Sequence, residues 1–351
     1  MNMLYIPHVP NLSVVNRVYE FAKNTDSYFL FWEMDNSSLK TKISSQLKSL
    51  HGKIIGKKVQ IPLLFKPEKT AAKINTFNLN KLIKRLDIKI VVNANALLFD
   101  VKRIKTPVIY DLVDDHLEVN GDIGLTKSRV EKIKQDISNA KGVVCTTTFL
   151  EDKIKHLNNR STTIENGVYV EKFRNAVSLK KKLGLENKKV FGYIGGVEPW
   201  TGIDKACENY AKIKTRDNAM IVVGDSKSLF FNNLKKLYKN DILFCGAVSP
   251  DEVGNYFKTI DVGLIPFKLN FFTNNAFPIK ALEYGLAGAA VISTPLKYLK
   301  TKKFNFITFC NIEKFHECMR QSLYNDNSFD FGKYDWKVLS KKYIDFVSGV
   351  L

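Results

Sequence analysis

Lys280 and Glu283 stand just inside a segment opened by Phe277-Pro278-Ile279, and no other pair in the chain has a spacing that carries as much chemistry. A proline at a first helical position, followed by Ile279, Leu282 and Leu286 at three- and four-residue intervals, predicts a helix entered at Phe277-Pro278. Such an entrance presents backbone N–H groups and the positive end of the helix dipole, the preferred seat of a phosphate or diphosphate. Lys280 would add a cation to that mouth, and Glu283 a carboxylate for a sugar hydroxyl, so that together they would read a nucleotide. The same pattern also fits a core helix with a snorkelling lysine and a surface glutamate. Upstream, Gly195-Gly196 lies between a predicted strand and a predicted helix, where glycines let a backbone approach a diphosphate closely.

A second concentration of chemistry is YDLVDDHLEVNGD at positions 110–122, with Asp111, Asp114, Asp115, His116, Glu118 and Asp122 directly after a predicted strand, 107–112. Carboxylates crowded at the carboxyl end of a parallel strand lie where open α/β sheets put their ligands. Mutual repulsion would raise at least one of their pKa values, which suits a general base. The bland alternative is a capping and turn cluster before the helix predicted over 127–139.

The elements that must position these residues alternate in type. Strands are expected at 3–6, 27–32, 88–93, 107–112 and 142–146, with helices at 13–23, 38–50, 79–86 and 127–139 among them, which implies a parallel sheet with crossover helices. A capping box is expected at Thr148-Phe-Leu-Glu151, and the tight turn Asn166-Gly167-Val168 ends this region, placing a boundary near 170. The pattern restarts with strands at 190–194, 219–224, 242–246 and 261–266. Two helices are expected in the tail, 313–324 and 336–347, the latter burying Trp336, Leu339, Tyr343 and Phe346.

The segment 274–295 resembles the donor-binding signature of GT-B glycosyltransferases, where two carboxylates are commonly spaced E-x7-E. Glu283 matches the second, and Asn275 occupies the position of the first, a departure from the pattern. The phrase Asn166-Gly167-Val168 with Phe173 is similar to the one that closes the first domain of many of these enzymes. The YD-x-x-DD run resembles a bacterial exopolysaccharide group that includes the xanthan glucuronosyltransferase, in which an Asp of the first domain is the catalytic base; Asp115 is the best match and Asp114 the second. The resemblance implies an α/β GT-B fold: two Rossmann-like, doubly wound domains (1–170 for the acceptor, 171–335 for the nucleotide sugar) and a C-terminal crossover helix (336–351) returning to the first. It implies a donor site made by Gly195, Gly196, Gly246, Val248, Asn275, Phe277, Pro278, Ile279, Lys280 and Glu283, with the turn Gly246 to Val248 facing the base.

Composition bounds the remaining readings. At 351 residues and 45% apolar content the chain can fill two cores. Its formal charge of +19 implies an acidic partner surface. Residues 39–105 hold 16 Lys and Arg against Glu68, Asp87 and Asp100, a net +13, which with the apolar run Ile61–Phe65 suits an anionic membrane face. A solvated lysine-rich surface is the alternative. Five cysteines without a C-x-x-C pair read as reduced core residues of a cytoplasmic protein, and no apolar run reaches the ~18 residues of a membrane span. The expected function is therefore transfer of a sugar from a nucleoside-diphosphate sugar to a glycan acceptor, lipid-linked for preference, in exopolysaccharide or capsule synthesis. Inverting chemistry at an Asp base is expected, at the inner face of the cell membrane. No D-x-D occurs, so metal independence is expected, with the nucleotide sugar as co-substrate and no cofactor. A nucleotide-sugar epimerase or hydrolase on the same fold, or a non-catalytic relative, is the alternative. A nucleic-acid binder is disfavoured because no helix-turn-helix, zinc ligand set or aromatic-basic RNA motif is present and the cations are mostly Lys.

Overall fold

The computed structural model describes residues 2–8, 17–32, 54–55, 57–61, 63–65, 68–119, 124–225 and 228–351. They form two compact units, Met1–Glu165 with Trp336–Leu351, and Asn166–Asp335. The helix expected over 38–50 and Asp122 lie outside the described residues.

In the first unit, β1 (Met3–Ile6), β2 (Tyr28–Leu30), β3 (Ile54–Ile55), β4 (Lys58–Val59), β5 (Ile90–Asn93), β6 (Val108–Leu112), β7 (Gly142–Cys145) and β8 (Ser161–Thr163) form one sheet, in the order β3-β4-β2-β1-β5-β6-β7-β8. Every pair is parallel except β3 with β4. Strands β1, β5, β6 and β7 are buried along their whole length. Their continuous Val and Ile runs follow from a sheet covered on both faces. The strand order reverses between β1 and β5, so the carboxyl ends of β1, β5 and β6 form the crevice where such sheets take ligands.

The helix Trp336–Val350 belongs to this unit. Trp336, Leu339, Tyr343 and Val347 are its buried apolar residues, with Phe346 only half-buried over Gly142. Its attachment is polar as well as apolar. Arg17 and Asp111, both fully buried, form an ion pair at 2.9 Å, the other guanidinium arm donates to the Glu165 carbonyl at 3.1 Å, and the Tyr343 hydroxyl donates to the second Asp111 oxygen at 3.1 Å. One carboxylate thus binds the first helix (Arg17–Asn24), β6 and the C-terminal helix together. Asp111→Ala is expected to cost roughly 3–5 kcal/mol, because Arg17 would be left buried without its counter-charge. Urea denaturation of both proteins measures it.

In the second unit, β9 (Lys189–Ile194), β10 (Asn218–Val223), β11 (Leu243–Gly246), β12 (Val262–Ile265), β13 (Ala290–Ser293) and β14 (Ile307–Phe309) form an all-parallel sheet in the order β11-β10-β9-β12-β13-β14. This is the doubly wound order, with its switch point between β9 and β12. The division between units falls at Glu165/Asn166, a few residues ahead of the expected 170. The reason is that the Asn166 side chain and the Val168 N–H bond already bind second-unit carbonyls, those of Phe277 and Tyr334.

Several local expectations shift. The helix expected over 79–86 begins at Glu68 and runs to Arg85. Thr147 rather than Thr148 caps the helix Thr148–Ile154, accepting from the Leu150 N–H. The helix expected over 313–324 shrinks to Phe315–Met319 after a short 3-10 turn, since Arg320, Gln321, Ser322 and Tyr324 are exposed and offer no apolar face to bury. Ile61 and Leu63 are core residues and, among the described residues of that run, only Phe65 is exposed. No two cysteines are bonded; Cys245 and Cys310 are half-buried rather than core. Among the described residues no helix is long and apolar enough to cross a membrane.

Candidate active site

The second unit assembles its candidate site at the carboxyl edge of its sheet. The chain leaves β9 at Gly195 with φ +140° and leaves β10 at Gly224 with φ +138°. The Gly195 N–H donates to the Val223 carbonyl at 2.9 Å and the Gly224 N–H to the Gly246 carbonyl at 2.8 Å, so the ends of β9, β10 and β11 lie flush. A Cβ on Gly224 would sit 2.0 Å from the Gly195 carbonyl oxygen, which makes glycine obligatory there. Sequence reasoning missed Gly224, although the glycine closing the apolar run 219–223 was the available signal. Gly196 is exposed, and its carbonyl accepts the Tyr193 hydroxyl at 2.7 Å. Gly246 has open space around its Cβ position, and Val248 beyond it is half-buried.

The helix Ile279–Ala287 follows as expected, but Pro278 occupies its N-cap rather than its first turn, with φ −65° and ψ 119°. No side chain caps that first turn, which leaves the entrance open to an anion. Packing sets the position of the entrance. The Phe277 ring lies 5.8 Å from Tyr334, 6.0 Å from Tyr298 and 6.4 Å from Phe304, and its carbonyl accepts from Asn166 Nδ2 at 2.8 Å. The Tyr284 hydroxyl donates to the Gly192 carbonyl and accepts from the Ile194 N–H, both at 3.0 Å, joining the helix to β9. Asn275 closes the short helix Phe271–Asn274 and is half-buried.

Lys280 does not snorkel away from the core. Its Nζ sits 4.1 Å from the centre of the Tyr193 ring and 5.1 Å from that of Phe267, and it would lie 2.7 Å from a Cβ on Gly195. The structure thereby brings together the lysine and the first glycine singled out from sequence. Burial pushes the Lys280 ammonium down to about 7, with Glu283 pulling the other way. Burial likewise pushes the Glu283 carboxyl up to about 7, against Lys172 and Lys280. Both side chains keep part of their surface exposed, so solvent tempers each shift. Gly195→Ala would impose φ +140° on a side-chain-bearing residue and crowd the amine; a loss of roughly 1–3 kcal/mol in folding stability is expected, read by urea denaturation.

In the first unit, the carboxylates after β6 do not simply repel one another. Asp111 is taken by Arg17, and the Asp115 side chain is fully buried, its oxygens held by the Lys153 ammonium at 2.6 Å and the Leu117 N–H at 3.3 Å. Lys153 also pairs with Glu118 at 2.8 Å. Asp115, the first choice from sequence for a base, therefore fastens the loop to the helix Thr148–Ile154 and has no surface on which to meet an acceptor. Lys153→Met is expected to destabilise this unit by roughly 1–3 kcal/mol by leaving the buried Asp115 without this counter-charge, a difference readable by urea denaturation. Asp114 is half-buried. It lies within electrostatic reach of His8, whose imidazole burial pushes down while Asp114 pulls it up and His116 lowers it. His8 Nδ1 is buried without a partner among the described residues. Asp114, His8 and His116 thus gather at the ends of β1 and β6, and sequence spacing alone could not have joined position 8 to position 114.

Two doubly wound units, the C-terminal helix packed with the first, and an open helix entrance beside glycine-lined strand ends define the GT-B glycosyltransferase fold. Residues 177–323, all within the second unit, match the family described as glycosyl transferases group 1. Among solved structures, Anabaena HepE crystallised with UDP and glucose is 13% identical with a TM-score of 0.73, covering 99% of this chain and 100% of that one. Sucrose-phosphate synthase from Thermosynechococcus elongatus is 10% identical with a TM-score of 0.77, covering 100% and 99%. The Bacillus subtilis (strain 168) protein TuaH, provisionally named a teichuronic acid biosynthesis glycosyltransferase, is 27% identical over 169 residues. That match spans 46% of this chain and 42% of TuaH.

Proposed function

We propose that this protein is a glycosyltransferase of surface-polysaccharide synthesis that moves a sugar from a nucleoside-diphosphate sugar to a glycan acceptor carried on lipid. The observation that carries the reading is Lys280 held at the uncapped helix entrance beside Gly195. In this reading the diphosphate takes the N–H groups of that first turn and the Lys280 ammonium, while Glu283 accepts from the ribose and the edge at Gly246 and Val248 borders the base. The family match over 177–323 and the nucleotide complexes of HepE support it.

Departure of the diphosphate leaves negative charge where the helix dipole and Lys280 meet it, which stabilises the transition state without reorganisation. That arrangement supplies by itself what a divalent ion would otherwise supply. Activity is accordingly expected to survive chelation, and strict restoration by Mn²⁺ would contradict this. The proton of the acceptor hydroxyl goes to a carboxylate of the first unit in a single, inverting displacement. Asp114 takes this role in place of Asp115 because, of these two adjacent aspartates, Asp114 is half-buried whereas the Asp115 side chain is fully buried against Lys153.

A thermal-shift panel of nucleoside diphosphates and their sugars tests the donor site. One diphosphate nucleotide is expected to stabilise the protein selectively, by about 2.7 kcal/mol at a hundred times its Kd. A flat response across the panel would overturn the assignment of that site.

A further inference from the structure

The helix Glu68–Arg85 buries Ala71, Ala72, Asn75, Thr76, Leu79, Leu82 and Ile83, and its opposite face is unusual for a solvated helix. Lys69, Lys73, Lys81, Lys84 and Arg85 are exposed there, and among them stand Ile74 at 41% exposure and Phe77 at 59%. At 3.6 residues per turn, Lys73 and Lys84 fall on one side of Phe77, and Lys81 and Ile74 on the other. The Lys81 Nζ lies 4.4 Å from the centre of the Phe77 ring. Glu68, the one acid of the helix, is engaged by Arg129.

The cationic surface continues beyond the helix. Asn80 donates to the Arg103 carbonyl and accepts from the Lys105 N–H, both at 2.9 Å, tying down a loop on which Lys102, Arg103 and Lys105 are exposed. That loop borders a cleft of about 730 Å³ whose lining includes Lys102, Lys141, Lys155 and Arg160 and contains no Asp or Glu.

We propose that this face of the first unit docks on an anionic phospholipid bilayer, with Phe77 and Ile74 entering the interface and the surrounding ammonium groups meeting lipid phosphates. Charge complementarity alone would suit any polyanion. The exposed Phe and Ile at the centre of the basic arc favour a bilayer, whose interface takes up apolar side chains and anion contacts together. The surface lies within the basic segment 39–105, but its apolar part is Ile74 and Phe77, since Ile61 and Leu63 are spent on the core. It deepens the proposed function by naming where an acceptor-bearing membrane meets the protein, and it rests on that reading only for the acceptor.

Co-sedimentation of the full chain with phosphatidylcholine vesicles, with and without phosphatidylglycerol, is the test. Binding is expected on the anionic vesicles alone, weakening with added salt. The triple variant Lys73→Gln/Lys81→Gln/Lys84→Gln is expected to reduce partitioning about a hundredfold. Ile74→Ser/Phe77→Ser is expected to weaken binding while leaving its salt dependence in place. All five positions are exposed, so melting temperatures and nucleotide-induced thermal shifts should match wild type, which separates failure of this proposal from failure of the donor site. Equal binding to neutral vesicles, undiminished binding of the triple variant, or binding to soluble polyphosphate with none to vesicles would each overturn it.

Discussion

Lys280→Ala is expected to lower kcat by about 10²–10³-fold and to weaken diphosphate binding by roughly 1.5–3 kcal/mol. The amine is held by the Tyr193 and Phe267 rings within reach of the Gly195 backbone, so no flexible search precedes its contact with an anion. In the empty protein burial holds it down to about 7, and a bound diphosphate would restore its charge. The sign follows directly: below about pH 7 the ammonium is already present, whereas above it binding must draw a proton from solvent. Relative to Lys280→Ala, which keeps Glu283 and its own titration near 7, wild-type diphosphate affinity is therefore expected to fall as pH rises through 7, by up to about tenfold per unit. Calorimetry in buffers of different ionisation enthalpy would report the proton uptake. A wild-type pH dependence identical to that of Lys280→Ala would remove Lys280 from the phosphate contact even if the variant were inactive.

Asp114→Asn is expected to lower kcat by about 10²–10⁴-fold with donor binding intact, the loss of a general base. Asp115→Asn should behave differently. It replaces a buried, ion-paired carboxylate by an amide facing Lys153, so its first effect should be on the urea midpoint of the first unit, with a smaller change in kcat. Measuring both variants for turnover and for stability discriminates the roles. Loss of turnover confined to Asp115→Asn, with stability unchanged, would return the base to the residue first favoured from the motif. His8 offers a further check, since its Nδ1, buried without a partner among the described residues, and its proximity to Asp114 make the pH profile of the wild-type enzyme sensitive to this cluster.

Much of the architecture was legible because parallel, doubly covered sheets write themselves as short apolar runs separated by helical periodicity. The strands at 3–6, 190–194 and 262–265 and the helix entered at Pro278 need no long-range information to be found, and the order of the motifs carried the GT-B resemblance. Boundaries moved where a cap or a single side chain decided them: Pro278 sits one position earlier in its helix, and Asn166 draws the start of the second unit forward. The helix 68–85 extends further at its amino end than its periodicity predicts because Asn75 and Thr76, buried and polar, interrupt its apolar face. Asn75 bonds the Leu64 and Leu98 carbonyls and the Leu64 N–H, and Thr76 bonds the Ala72 carbonyl and the Asp100 N–H, partners invisible to periodicity.

By itself, then, the sequence determined the strand and helix pattern, the two-unit plan and the pairing of a phosphate-ready helix start with Lys280, all of which depend on local spacing. Only the tertiary structure decided which of Asp114 and Asp115 is fully buried, how Lys280 meets Gly195, and which lysines surround an exposed Phe. Those outcomes depend on which groups are desolvated and which counter-charge reaches them across tens of residues, as Lys153 reaches Asp115 and Arg17 reaches Asp111, and no periodicity along the chain encodes that.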